Sequence, residues 1–215
     1  MQVYNTIVSF FQDGGFFMYP IVVILAIGLA IAIERWWSLR TSESRNRKEW
    51  EQLAPVLAKG DYDKAQAQTA NSKAEIGAIL NFGLSRLKTS QRREDVEMAM
   101  EESLMEAMPH LEKRTHYLAT FANIATLLGL LGTIIGLIRA FTAVADANPA
   151  DKADLLSASI SVAMNTTAFG LIAAIPLLLI HALLVTKTTG LVDSLEMASV
   201  KFLNTVPSRE DRSVV

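Results

Sequence analysis

The sequence predicts an all-α membrane protein: three transmembrane helices with long cytoplasmic helical extensions. Three observations carry that fold class. Charge is concentrated in residues 39–117, while three windows of ~20 or more residues, the length that spans hydrocarbon, hold almost none. Basic residues crowd only some of the window ends. In the second window Gly129, Gly132, Gly136 and Ala140 recur at steps of three or four, so they fall on one stripe of a helix. Such a stripe of small residues lets a second helix backbone come close, as at membrane helix–helix interfaces.

The elements follow in order. Residues 1–15 form a periplasmic segment without Lys or Arg, and no small-residue cleavage site follows the first apolar run. That run, 16–37, therefore reads as an uncleaved anchor rather than a signal peptide. Phe16, Phe17 and Tyr19 mark one end and Trp36 and Trp37 the other, as expected of a helix reaching both interfaces. Residues 38–117 read as cytoplasmic helices. Lys48–Lys59 is a short amphipathic helix stopped by Gly60, and the Asp61 carboxylate caps the next helix, which runs to about Ala70. Ala74–Lys88 places Ile76, Ile79, Leu80, Leu84 and Leu87 on one face. From Arg92 a polar helix opened by Glu94, Asp95 and Glu97 leads without a glycine break into the second span, 118–145, with Pro109 its one kink. A short periplasmic loop, 146–154, precedes the third span, 155–186, in which Pro176 is expected to bend the helix. The helix continues into residues 187–215 through Leu191, Leu195, Ala198 and Phe202, and the tail from Pro207 reads as disordered.

Orientation follows from charge. Arg35, Arg40, Arg45, Arg47 and Lys48 crowd the exit of the first span, and Lys113 and Arg114 precede the second. Residues 1–19 carry no basic residue and the 146–154 loop only Lys152. The positive-inside rule puts the N-terminus in the periplasm and the C-terminus in the cytoplasm. A net charge of −2 and a pI near 5.9 give no electrostatic basis for nucleic-acid binding. The absence of cysteine excludes disulfides and thiolate chemistry, and His110, His116 and His181 lack metal-ligand spacing. With no nucleophile–base pair, the chain does not read as an enzyme.

The chemistry-bearing residues lie within the spans. Asn165, Thr166 and Thr167 are consecutive polar groups in the third span, and Thr133 sits beside the glycine stripe of the second. At ~1.5 Å per residue, Thr133 lies ~16 Å and Thr167 ~18 Å from the outer ends of their antiparallel helices, so both fall near mid-membrane. Membrane hydroxyls commonly bond back to their own helix. A ring of them can also hydrate an ion or meet a partner's carboxylic acid. No span has an Asp or Glu near its centre, and Glu34 lies at the inner end of the first. A proton path normally needs a titratable group; either the chain conducts nothing or a second protein brings the acid. Arg139 is the one strong charge well inside a span. It snorkels toward Asp146, Asp151 or Asp154, or it forms an electrostatic gate at the outer mouth. His181, near the inner end of the third span, reads as a packing or interfacial residue.

The segments GGFFMYPIVVILAIGLAIAIERWWSLR, LLGLLGTIIGLIRAF and NTTAFGLIAAIP together resemble the ExbB/TolQ/MotA group of inner-membrane motor subunits, and the first looks most like the ExbB branch. The resemblance covers all three spans in order. It implies a homopentamer in a bacterial inner membrane, with the second and third spans around a central pore. Gly129, Gly132, Gly136, Ala140 and Gly170 would pack those helices. The family's pore threonines fall on Thr133 and Thr167, with Asn165 and Thr166 beside them. The implied partner is an ExbD/TolR-like subunit whose single span carries an Asp, and the implied recipient is a TonB-like protein. The cargo is a proton or a sodium ion, the latter held transiently at Thr133 and Thr167; no resident cofactor or metal is implied. One departure stands out. ExbB proteins usually carry a Glu five residues before the third-span threonine, where this chain has Val162. The Thr166–Thr167 pair instead looks closer to the flagellar stator branch, where such pairs go with sodium. Other relatives serve gliding, envelope maintenance and phage defence.

Two further readings stay open from the residues alone. A passive scaffold would use the small-residue stripe only to oligomerise helices. A secondary transporter would show inverted repeats or broken helices, and neither is visible.

Overall fold

The computed structural model describes residues 15–90 and 92–206; the expectations for the segment before Gly15 and for the tail from Pro207 lie outside them. The described residues are all-helical: α1 (Met18–Ala58), α2 (Tyr62–Thr69), α3 (Glu75–Thr89), α4 (Arg93–Glu112), α5 (Thr115–Asp146) and α6 (Lys152–Leu203). Three stretches, Met18–Ala58, Arg93–Ala145 and Lys152–Leu203, are long and apolar enough to cross a membrane.

Helix boundaries depart from the sequence expectation at two places. The segment Lys48–Lys59 is not a separate helix but the end of the 41-residue α1, which even contains Pro55. Nothing between Trp37 and Lys48 is Gly or Pro, so the helix has no reason to stop. It ends at Gly60 (φ +74), where the Gly60 N–H donates to Leu57 O and the Asp61 N–H to Val56 O, the two bonds of a Schellman C-cap. The second departure concerns Pro109. It lies in the last turn of α4, and the break comes later, at Lys113–Arg114, where Arg114 takes φ +64. A buried guanidinium terminates the turn: Arg35 Nη2 donates to Leu111 O at 2.5 Å, satisfying one of the carbonyls that every helix end leaves open. Helix α6 runs as one helix of 52 residues from Lys152 through Pro176 to Leu203, continuing beyond the third span as expected.

The chain divides into two compact units. One comprises the residues up to Glu34 together with Arg114–Leu183. Its interior is narrow and built from small and branched side chains: Ile21, Ala122, Ala125, Ala173, Ala174 and Leu177 are buried, with Ile24, Leu25, Phe121, Leu128 and Phe169 packed around them. Its exterior is apolar instead of charged; Ile33, Leu127, Ile138, Phe141, Ile172 and Leu179 are exposed. That inversion suits lipid as the solvent. Gly28 of α1 seats the tip of Leu177, whose Cδ2 would lie 2.7 Å from a Cβ there.

The other unit comprises Arg35–Lys113 and the chain from Leu184. Here α3 packs on α4, burying Ile76, Ile79, Leu80 and Leu84 with Val96 and Met100. Asp61 caps α2 as expected, accepting from the Lys64 N–H at 3.2 Å. Helix α3 has no capping side chain of its own, because Ala74 stands at its N-cap. Asn46 of α1 supplies the cap from a distance: its Oδ1 accepts from the Ile76 N–H at 3.0 Å, and its Nδ2 donates to Glu75 at 2.9 Å. Ser42 donates to the same Glu75 carboxylate at 2.8 Å.

Candidate functional site

The site is built on the close pairing of α5 and α6 inside the apolar unit. The stripe of small residues on α5 lies against small residues of α6. A Cβ built on Gly170 would stand 2.7 Å from Ala125 O and 3.0 Å from Gly129 Cα, and one on Gly129 would stand 3.3 Å from both Gly170 Cα and Thr167 Cα. Gly132 abuts the Thr166 methyl, and a Cβ on Gly136 would lie 2.8 Å from that of Ala163. Ala140 is fully buried. At Gly129, Gly132, Gly136 and Gly170 even a methyl would meet the facing helix at 3.3 Å or less, so the stripe packs the chain's own two helices together.

This closeness puts helix carbonyls within reach of side chains on the opposite helix. Thr167 Oγ1 donates to Gly129 O at 2.8 Å, across the seam. The other two hydroxyls bond within their own helices: Thr133 to Leu130 O at 2.6 Å and Thr166 to Val162 O at 3.0 Å. Thr133 stands one turn beyond Gly129, so it and Thr167 sit within about one helical turn, ~5 Å, of the same level. Exposure separates the three. Thr133 and Thr167 are half-buried, whereas Thr166 is 2% exposed and wedged against Gly132. Thr166 thus packs in the seam, and it also borders the small cleft at the start of α1. Asn165 is half-buried, two residues and therefore ~200° around the helix from Thr167.

The direction of these bonds decides the chemistry. A hydroxyl has one hydrogen, and a carbonyl can only accept. Thr133 and Thr167 each commit that hydrogen to a carbonyl, which leaves only their lone pairs for a visitor. The pair can accept from a protonated carboxylic acid or a hydronium, or coordinate a cation. An ionised carboxylate would find no donor in it.

Between this level and the start of α1 lies a small cleft of about 120 Å³, lined by Phe16, Phe17, Gly136, Arg139, Ser159 and Val162, among others. Arg139 is its only charge and is exposed. Among the described residues Arg139 forms no ion pair with Asp151 or Asp154, and the Asp146 side chain lies outside the described set. Val162 packs toward Gly15, whose Cβ position is 3.3 Å from its Cγ1. No group of three or more His, Cys, Asp or Glu among the described residues could hold a metal.

Residues 71–197 match the family model described as the MotA/TolQ/ExbB proton channel family. The chain belongs to that family. A putative biopolymer transport protein ExbB-like 1 of Synechocystis is 31% identical over 187 residues, covering 85% of this chain and 72% of that protein. A putative ExbB homolog of Methanothermobacter thermautotrophicus is 28% identical over 200 residues, 92% of this chain and 69% of its own length. The biopolymer transport protein ExbB of Salmonella typhimurium is 27% identical over 175 residues, 75% and 71% of the two chains. The ExbB branch is therefore the one this MotA/TolQ/ExbB member falls nearest, and it is a membrane protein of a proton channel family.

Sequence reasoning found the threonines and the glycine stripe but missed three parts of their setting. The Gly129 carbonyl as acceptor for Thr167 has no sequence signal beyond two small residues at one depth. Gly28 as the seat of Leu177 is signalled only by a glycine within an apolar run. Arg35 and Asn46 read as members of a basic, polar stretch, and nothing in their spacing announces a buried helix cap.

Proposed function

We propose that this protein is the channel-forming stator subunit of an envelope energy-coupling complex in a bacterial inner membrane, with no enzymatic role and no nucleic-acid partner. Its N-terminus faces the periplasm and its C-terminus the cytoplasm, where the extended helices project. Five copies surround a pore lined by α5 and α6. An ExbD/TolR-like subunit, bearing one membrane Asp, occupies that pore and works on a TonB-like protein. The reading is supported by one observation above all: Thr133 and Thr167 offer acceptors only, at one level, in spans that lack any acid. Such a site holds a partner's carboxylic acid while it is protonated and releases it once ionised, which couples ion passage to movement of one subunit set against the other.

Val162, standing where ExbB proteins carry Glu, favours no proton carrier of this chain's own at that depth, and a sodium ion held by the same two oxygens is the competing cargo. The test uses the complex isolated with its partner and reconstituted in liposomes. Thr133→Val and Thr167→Val should each abolish ion flux while leaving the assembly intact, and sodium removal at a fixed proton gradient identifies the ion. Normal flux in both variants would refute the assignment and leave the passive scaffold.

A further inference from the structure

We infer that the groove between α3 and α4 docks a second copy of this chain, through the basic face of that copy's α1. This is the contact that joins one copy to the next in the five-copy reading above, on which it rests. The groove has a volume of about 690 Å³ and is lined by Phe82 and Arg86 of α3 and by Met98, Glu101, Glu102 and Met105 of α4, among others. Met98 is 64% and Met105 60% exposed, on the side of α4 opposite the buried Val96, Met100 and Leu104. Methionines held between carboxylates suit an amphipathic partner surface. Their thioether side chains adapt to what covers them, and the charges select the partner.

Helix α4 carries seven acidic residues and a single Arg or Lys, Arg93. The exposed face of α1 beyond Arg35 carries Arg40, Arg45 and Lys48. Among the described residues none of these three is in an ion pair, and neither are the exposed Glu97, Glu101, Glu102 and Glu106. The intervening Glu43 and Arg47 are already taken, by Lys187 and Glu51. Each copy therefore bears a basic face and an acidic face on different helices, and neither neutralises the other.

The two faces also match in height. Helix α1 enters this unit at Arg35 and α4 leads out of it at Lys113, so the helices run in opposite senses. The bond from Arg35 to Leu111 O sets their register. Counting equal numbers of residues from that bond, at ~1.5 Å each, puts Arg40 level with Glu106, Arg45 with Glu101 and Lys48 with Met98, one residue from Glu97. Copies inserted in one orientation in one membrane keep these heights, so the basic face of one meets the acidic face of the next without a shift along the helices. Pairing the acidic face with itself would set carboxylate against carboxylate. Two different faces joined in this way make a head-to-tail contact, the kind that closes into a ring.

The chain contains no cysteine, so introduced thiols report one contact at a time. The experiment co-expresses two full-length forms with different tags, one Arg45→Cys and the other Glu101→Cys, and treats the membranes with a short bis-maleimide. A covalent dimer carrying both tags is expected, whereas each form expressed alone should stay monomeric on a denaturing gel. In the purified chain, Arg45→Glu and Glu101→Arg should each raise the fraction of free monomer several-fold at low salt, where exposed charge pairs act most strongly. The two substitutions together should restore the assembly. An oligomer that forms without the cross-link overturns this contact and spares the five-copy reading, whereas a chain that is monomeric in the membrane removes both. Cross-linking of Glu101→Cys to the ExbD/TolR-like partner instead of the second copy would also overturn it.

Discussion

The hydroxyl of Thr167 reaches across to the backbone of another helix, donating to the carbonyl oxygen of Gly129 at 2.8 Å. Thr166, its neighbour, donates its hydroxyl to Val162 O of its own helix and packs on Gly132. Adjacent threonines of the same chemistry thus have different roles. Thr167→Val should cost about 0.6 kcal/mol of helix association, too little to disassemble the protein, yet remove the acceptor and the ion-driven activity. Thr167→Ser should retain activity. Thr166→Val, which keeps the methyl facing Gly132, should leave flux near normal. Flux through the reconstituted complex checks all three.

Glycine substitutions should rank by what a methyl would meet. At Gly170 it meets backbone, Ala125 O at 2.7 Å and Gly129 Cα at 3.0 Å. Gly170→Ala should therefore cost about 1–3 kcal/mol through overpacking. Gly190, also within α6, has nothing within 4 Å of the same position; Gly190→Ala should gain up to about 1 kcal/mol of helix propensity. Thermal unfolding in detergent should shift downward for the first and hold or rise for the second.

Asn46 caps α3 from α1, and no residue of α3 can replace it. Asn46→Ala should lower stability by about 1–2 kcal/mol. Ser42→Ala should cost less, because Glu75 keeps its bond to Asn46. Helical signal followed during chemical denaturation measures the difference.

Arg35 is 3% exposed and donates to the carbonyl of Leu111 in the last turn of α4. Arg35→Ala removes that donor from a buried carbonyl, at about 1–3 kcal/mol. Faster amide exchange confined to the last turn of α4 is the expected signature. Exchange spread evenly over the protein would contradict a local capping role.

The three spans were legible because hydrocarbon demands a continuous apolar length, a property of neighbouring residues in the chain. The glycine stripe and the depth of Thr133 and Thr167 were legible for a related reason: helical periodicity and rise convert residue number directly into face and level. Gly60 announced a helix end because only a residue free of Cβ strain adopts φ +74 readily. Arg114 gave no such notice. It adopts φ +64 because the chain must leave α4 and enter α5 there, and the fold imposes that conformation on a residue that would not choose it.

The sequence by itself determined the solvent of each segment, the handedness of charge about the spans, and the absence of any acid at their centres. Only the tertiary structure decided which hydroxyls face a neighbour and which remain available, and whether a buried polar atom such as Asn46 Oδ1 finds a partner or, like His181 Nε2, finds none among the described residues. Periodicity fixes a residue's place on its own helix. A hydrogen bond needs two helices at a defined separation, and that distance arises only when Gly129 and Gly170 let their backbones meet.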